Sequence, residues 1–432
     1  MPKKPLGWTT AWLGFGLVLP ILFLHYETAR NSAWLLSLFG ISFVAYGLLY
    51  FKSEFSFKQI LIVAIFIRLA LFFGAPTLSD DYFRFIWDGH IRAEGINPYE
   101  STPAELIKEQ PENLNEVFEK LNSQEYHSTY PPFSQYVFSI PSYLGIKSLF
   151  WTLTTFRIIL LLFEIGVIWL LFQLTSSASR VVLYALNPLV ILELIGNVHF
   201  EGMVLFFILL AWWFYEKGNW KKAALALSFG VLTKLTPLMF LPVLFRKLGW
   251  QKSIKSYALI GVSIVFFSLP FLDFQMLDGM GSGLDLFFRK FEFNAGLFFL
   301  MRAIGYWVKG YDVVQTVGPW LSVIAFGLIM TYCLYKVKEH TDWAKAFTII
   351  LLIQLIFATT VHPWYVIPLI AFGCMSGYAF PIIWSGLVFV SYSGYTENGY
   401  QHPMIWIAIE YFIVIGVASF ELYKNKTLLK HV

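Results

Sequence analysis

Charge is scarce in this sequence. Asp, Glu, Lys and Arg make up 13% of 432 residues, about half the share found in soluble domains. With 57% hydrophobic and 19% aromatic residues and a mean hydropathy of +0.63, a water-soluble fold is excluded, and the chain reads as an all-α polytopic membrane protein. Cysteine is nearly absent. Cys333 and Cys374 are the two present, and both lie inside apolar runs, which argues against a disulfide framework or a thiolate metal site. Basic residues form short clusters between apolar runs and no single patch, so the net charge of +4 gives no footprint for nucleic acid. Internal repeats, low-complexity stretches and linkers are also missing, and one domain over 1–432 is the simplest organisation. Met1-Pro2-Lys3-Lys4 leads into an apolar run without a small-residue cleavage site, so no cleavable signal peptide is expected.

What is present is a series of apolar runs. A spanning helix needs about 20 such residues, which predicts about 12 spans, at 8–25, 33–51, 59–75, 150–174, 181–196, 201–216, 256–272, 317–336, 345–360, 364–378, 380–393 and 404–422. The first two form an additional N-terminal hairpin over 1–58. Basic clusters favour the cytoplasm. Placing Lys3, Lys4, Lys52 and Lys58 there leaves 77–132 as an extracytoplasmic loop with juxtamembrane helices. Segment 223–245 is apolar enough to span, yet Lys217, Lys221 and Lys222 precede it and Arg246, Lys247, Lys252 and Lys255 follow. The conflict resolves if Thr236-Pro237 breaks it into a re-entrant helical hairpin. Lys336, Lys338, Lys424, Lys426 and Lys430 then also fall inside, and the polar, aromatic connections gather on the extracytoplasmic face.

One of those connections stands out. Residues 80–94 hold Asp80, Asp81, Asp88, Glu94, Arg84 and Arg92, directly after an apolar run. At about 100° per residue, Asp81, Arg84, Asp88 and Arg92 form one helical stripe opposite Tyr82, Phe83, Ile86 and Trp87. That pattern predicts a helix lying on the membrane with its charges uppermost. Ser79 is a natural N-cap, and acidic residues in a first turn serve capping as readily as chemistry. Charge beside a bilayer is nonetheless costly and marks function by default. An Asp within hydrogen-bond reach of an acceptor hydroxyl can act as a general base, and arginine can fork a phosphate. Together they suit group transfer from a lipid-linked phosphosugar, whose phosphate is already a good leaving group.

Several motifs then follow in order. Asp81-Tyr82, Glu94-Gly95-x-x-Pro98-Tyr99, Tyr130-Pro131-Pro132, Leu186-Asn187-Pro188-Leu189, Gly196-Asn197-Val198-His199-Phe200-Glu201-Gly202, Thr233-Lys234-Leu235-Thr236-Pro237, Phe293-Asn294-Ala295-Gly296 and His362-Pro363-Trp364-Tyr365 run along the chain. Over roughly residues 59–370 this series resembles the GT-C glycosyltransferases, closest to the bacterial polyprenol-phosphate-mannose-dependent mannosyltransferases. It is more distantly similar to the glycosylphosphatidylinositol mannosyltransferase I catalytic subunit. The resemblance implies a GT-C fold, a polyprenyl-phosphate sugar donor, a glycan or glycolipid acceptor, inversion, and no metal or other cofactor. It makes Asp81 the candidate base and Asp80 its neighbour, although Ser79-Asp80-Asp81 stands where the glycosylphosphatidylinositol enzyme has Asp-x-Asp.

Around them Arg84, Asp88, Arg92 and Tyr130 are expected at the substrate, Lys234 and Arg302 at the donor phosphate, and His199, Glu201 and His362 at sugar hydroxyls. Each has a plain alternative. Lysine snorkels, helix-end His and Glu are often solvated, and interfacial aromatics form ordinary belts. Glu164, Glu193 and Gln354 lie within apolar runs and are expected to pair inside the bundle, with no role assigned. Transfer of another lipid-linked sugar, or transport of a lipid-linked intermediate, would use similar residues. A transporter should spread charges over several spans with repeat symmetry, whereas here they concentrate in one loop. The expected setting is the cell (inner) membrane with the site on its extracytoplasmic face, among membrane lipids and without nucleic acid.

Overall fold

A computed structural model describes residues 8–27, 32–52, 54–108, 114–272, 274–396, 399–424 and 426–429. Lys3, Lys4 and Lys430, which orient the termini in the topology above, lie outside them. Among the described residues the architecture is helical, save one antiparallel pair of two-residue strands, Tyr395–Thr396 with Gly399–Tyr400. Six helices among the described residues are long and apolar enough to cross a membrane: Trp8–Tyr26, Ser32–Lys52, Leu149–Thr175, Thr236–Phe271, Val314–Tyr335 and Met404–Lys424. A seventh results if Ala178–Ala185 and Pro188–Gly196, bent by 54°, count as one span.

The remaining runs of the expected twelve fold as shorter helices, among them Trp343–Phe357, Pro363–Ser376 and Phe380–Gly394. Local chemistry accounts for the breaks. Asn187 caps the next turn by accepting from Leu189 N–H at 3.0 Å, and Pro188 follows at the first helical position, so a continuous apolar run becomes two pieces.

The parity-deciding segment is indeed broken at Thr236-Pro237. The Trp220–Thr233 helix ends at Lys234, whose backbone is extended, and a 3-10 turn over Thr236–Phe240 precedes the Leu241–Ser268 helix. That helix is interrupted in turn at Gly249, with φ 72° and ψ 164°. This left-handed backbone is one that glycine adopts freely.

Contacts group the chain into two compact units. The first comprises Met1–Leu78, Leu161–Glu201 and Val361–Val432. Its core contains a buried ion pair, Arg68 Nη2 to Glu164 Oε2 at 2.9 Å, completed by the Tyr184 hydroxyl donating to Glu164 Oε1 at 2.7 Å. The Phe39 and Phe389 rings stack at 3.7 Å. Glu421, fully buried, accepts from the backbone of Ala379, Phe380 and Leu428, an anion held at a helix start.

The second unit comprises Ser79–Leu160 and Gly202–Thr360. Here the Asp81–Ala93 helix crosses Pro132–Tyr143 at Gly89, where a side-chain carbon would lie 2.0 Å from the Phe138 carbonyl oxygen. The Phe274–Arg289 helix rests on the loop through Gly279 and Gly283, beside Tyr99, His127 and Thr129.

Candidate active site

The helix carrying the charge cluster starts as its sequence suggests. The Ser79 hydroxyl accepts from Asp81 N–H at 3.3 Å, while the Asp80 side chain makes no capping bond and is exposed. Asp81 occupies the first turn, half-buried, and its Oδ1 accepts from Asn122 Nδ2 at 3.1 Å.

The rest of the helix departs from the expected surface stripe. Arg84 and Asp88 are buried, as are Tyr82, Phe83, Phe85, Trp87, Gly89 and Ile91, so the charges are not uppermost. The cause is the loop over 122–135, which folds across the stripe and supplies partners for it. Arg84 Nε donates to Asp88 Oδ1 at 2.7 Å, and Arg84 Nη1 to the carbonyls of Tyr126 at 2.8 Å and Ser123 at 3.2 Å. The other Asp88 oxygen accepts from the Ser128 hydroxyl and from Gln135 Nε2 at 3.1 Å. Both residues, expected at the substrate, hold this loop. A buried charge requires such partners.

Arg92 is half-buried, its guanidinium carbon 4.3 Å from the Phe271 ring centroid and 5.0 Å from that of Tyr136, a cation–π seat. Tyr130 packs edge-on against Phe85 at 5.2 Å and Phe138 at 5.3 Å, and its carbonyl accepts from the Tyr99 hydroxyl at 2.5 Å. Burial, reinforced by the negative charge of Asp88, holds the Tyr99 phenol well above its usual pKa, so it stays a neutral donor. Burial likewise pushes Tyr82 up to about 12, with the Asp80 charge adding to it.

Lys234 lies at the chain break, half-buried, its N–H donating to the Gly230 carbonyl at 3.0 Å. The preceding Thr233 carbonyl accepts from the Ser134 hydroxyl at 2.8 Å. Lys234 is therefore tied, one residue away, to the helix that follows Tyr130-Pro131.

Arg302, expected at the donor phosphate, is paired on two sides. Its Nη1 meets Glu292 Oε1 and its Nε meets Asp312 Oδ2, each at 2.9 Å. Two carboxylates thus surround one guanidinium. These residues belong to the second unit.

The first unit holds His199, Glu201 and His362. His199 is stacked on Trp364 at 3.7 Å, and Trp364 on His362 at 4.3 Å, with interplanar angles of 20° and 2°. His199 Nδ1 lies 3.0 Å from Glu193 Oε2. Glu193 also accepts from the Tyr392 hydroxyl at 2.7 Å and from Asn197 Nδ2 at 3.1 Å. Glu193 lies in a π-helical turn, Leu192–Gly196, and Val198 beyond it has φ 62°, a genuine outlier for a β-branched residue. Both features cluster at functional positions. Glu201 is buried at the start of the Glu201–Glu216 helix. The interior pairing expected of Glu164 and Glu193 is thus present.

Sequence reasoning missed Asn122, Ser128 and Gln135 as partners of the cluster, and Glu193 as the residue orienting His199. Ser134-Gln135 inside an otherwise apolar helix start was the available signal. Glu193 gave none, because a π turn shifts the helical phase on which spacing arguments rest. Among the described residues, no group of three or more His, Cys, Asp or Glu side chains is placed to hold a metal ion.

Comparison with known families finds a match over residues 7–248 to the MptA_B family, described as alpha-(1->6)-mannopyranosyltransferase, N-terminal domain. The matched region takes in the first two spans, which the motif series leaves out, and ends before Arg302 and His362. No curated protein matches the chain.

Proposed function

Because the chain belongs to the alpha-(1->6)-mannopyranosyltransferase family and is thus a mannosyltransferase, we propose that it moves mannose, with inversion, from a polyprenyl-phosphate donor to a hydroxyl of a lipid-linked or cell-envelope glycan. Asp81 serves as the base. The observation that carries the assignment is a contrast within one helix. Arg84 and Asp88 are enclosed by the loop they hold, while Asp80 is exposed and Asp81 half-exposed. The Asn122 amide fixes the Asp81 carboxylate from one side, which pre-orients it at little entropic cost.

In the reaction the acceptor oxygen attacks the anomeric carbon. The bond from that carbon to the phosphate oxygen breaks, the hydroxyl proton passes to the Asp81 carboxylate, and polyprenyl phosphate departs. Lys234 faces the phosphate with its ammonium, as the P-loop lysine does elsewhere. The acceptor side is extracytoplasmic, consistent with the short basic connections on the opposite side.

The test is transfer of labelled mannose from synthetic polyprenyl-phosphate mannose into membrane acceptors. Asp81→Asn should lower kcat by about 100-fold or more with a small change in KM, and Asp80→Asn should act less. Equal transfer by Asp81→Asn and wild type would remove Asp81 as the base. A panel of donors carrying other sugars on the same lipid tests the assignment of mannose as the group moved.

A further inference from the structure

The connection between the Phe274–Arg289 helix and the Val314–Tyr335 span contains a helix, Leu297–Lys309, with one strongly apolar outward face. Leu300, Ile304, Trp307 and Val308 are exposed by 60%, 43%, 87% and 65%. At about 100° per residue these four positions fall within about 100° of one another. The other side of the helix is settled inside its unit. Phe298, Phe299 and Gly305 are buried, Arg302 is held by Glu292 and Asp312, and Lys309 lies opposite the apolar stripe.

The helix cannot readily roll about its axis. Asp312 receives Arg302 and also caps the next helix by accepting from Val314 N–H at 2.8 Å. Gly305 is pressed against Val313, where a side-chain carbon would lie 2.6 Å away. Gly310 closes the helix in the left-handed conformation.

The span that follows, Val314–Tyr335, exposes Trp320, Val323, Ile324 and Phe326, an apolar face suited to lipid. Only four residues, 310–313, separate the Leu297–Lys309 helix from that span. We propose that Leu297–Lys309 is an in-plane interfacial helix whose Leu300–Ile304–Trp307–Val308 face is seated in the lipid bilayer, at the boundary of headgroups and acyl chains. An exposed Trp beside an apolar stripe suits that depth, and a patch of this kind is not left bare to water.

The experiment uses full-length protein in phospholipid nanodiscs, with Cys333→Ser and Cys374→Ser as background. A nitroxide is placed in turn at Leu300→Cys, Ile304→Cys, Val308→Cys and Lys309→Cys. The first three should be relaxed by oxygen and shielded from a water-soluble nickel complex, with the reverse at Lys309→Cys. Hydroxyl-radical footprinting of unmodified protein supplies a measurement without substitutions. Trp307 should be protected from oxidation in nanodiscs despite its protrusion. Nickel accessibility at all four labels together with ready oxidation of Trp307 overturns the proposal in favour of water. Dipolar broadening between labels, present only with two copies in one nanodisc, overturns it in favour of a second chain.

Discussion

Asp88 and Asp81 lie two helical turns apart and have opposite fates, and the difference is set by their partners rather than by residue type. Removing the buried member, Asp88→Ala, leaves Arg84 buried without its anion, and such a loss costs about 3–5 kcal/mol. A large drop in the thermal midpoint of purified protein is the expected result, and an unchanged midpoint would contradict the network. Gly89→Ala is expected to destabilise by about 2 kcal/mol or more, because the added carbon meets the Phe138 carbonyl; the same melting measurement checks it. Glu105 supplies a pH test. It accepts from Thr102 N–H at 2.8 Å and from the Thr102 hydroxyl at 3.0 Å, and these bonds hold its pKa below the usual value. A lowered folded pKa means that its stabilisation is full above the unfolded value of about 4.3 and fades as pH falls through the folded one. The stability gap between wild type and Glu105→Gln should therefore be present at neutral pH and close in acid. At this scale the sequence was legible for Ser79, whose hydroxyl starts the helix by accepting from Asp81 N–H. It was illegible for Arg84 and Asp88, because the side chains that enclose them come from about 40 residues further along, a distance no periodicity carries.

Among the elements, the turn from Leu192 to His199 is the most constrained. A π turn, a left-handed valine and a buried carboxylate converge on one imidazole, and that imidazole stacks into a His–Trp–His sandwich. Glu193→Gln keeps the shape but sets an amide donor among the Tyr392, Asn197 and His199 donors, and a cost of about 2 kcal/mol is expected. A matching loss of stability with Tyr392→Phe, and less than additive loss in the double variant, would establish the shared bond. The Arg302 trio makes the opposite kind of prediction. Its ion pairs are a quarter exposed, so Arg302→Ala should cost about 1 kcal/mol and leave KM for the lipid-phosphate donor unchanged. A raised KM would return Arg302 to the donor site. The break at Thr236-Pro237 was readable because proline acts locally, whereas the second interruption falls at a single glycine, Gly249, which by itself does not force a helix to end.

At the scale of the molecule, composition alone settled that the chain is helical and membrane-embedded. Among the described residues fewer helices are long than the apolar runs suggest, because Asn187-Pro188 divides one run and others, such as 201–216, are short helices. The proposed orientation can be checked with a membrane-impermeant thiol reagent on intact cells. Glu100→Cys and Gly310→Cys should react from outside, and Lys217→Cys and Lys338→Cys only after the membrane is opened. Labelling of Lys217→Cys in intact cells would invert that topology. The buried pair of Arg68 and Glu164 bears on how the chain is made. The two residues are 96 positions apart, so at about 5–20 residues per second the ribosome needs roughly 5–20 s to deliver the carboxylate after the arginine. During that interval a 14-residue helix bearing a guanidinium in its last turn, which opposes insertion, lacks its carboxylate partner. Its lasting entry into the bilayer must therefore wait for a later segment, which makes assembly of the first unit a matter of timing during synthesis as well as of packing.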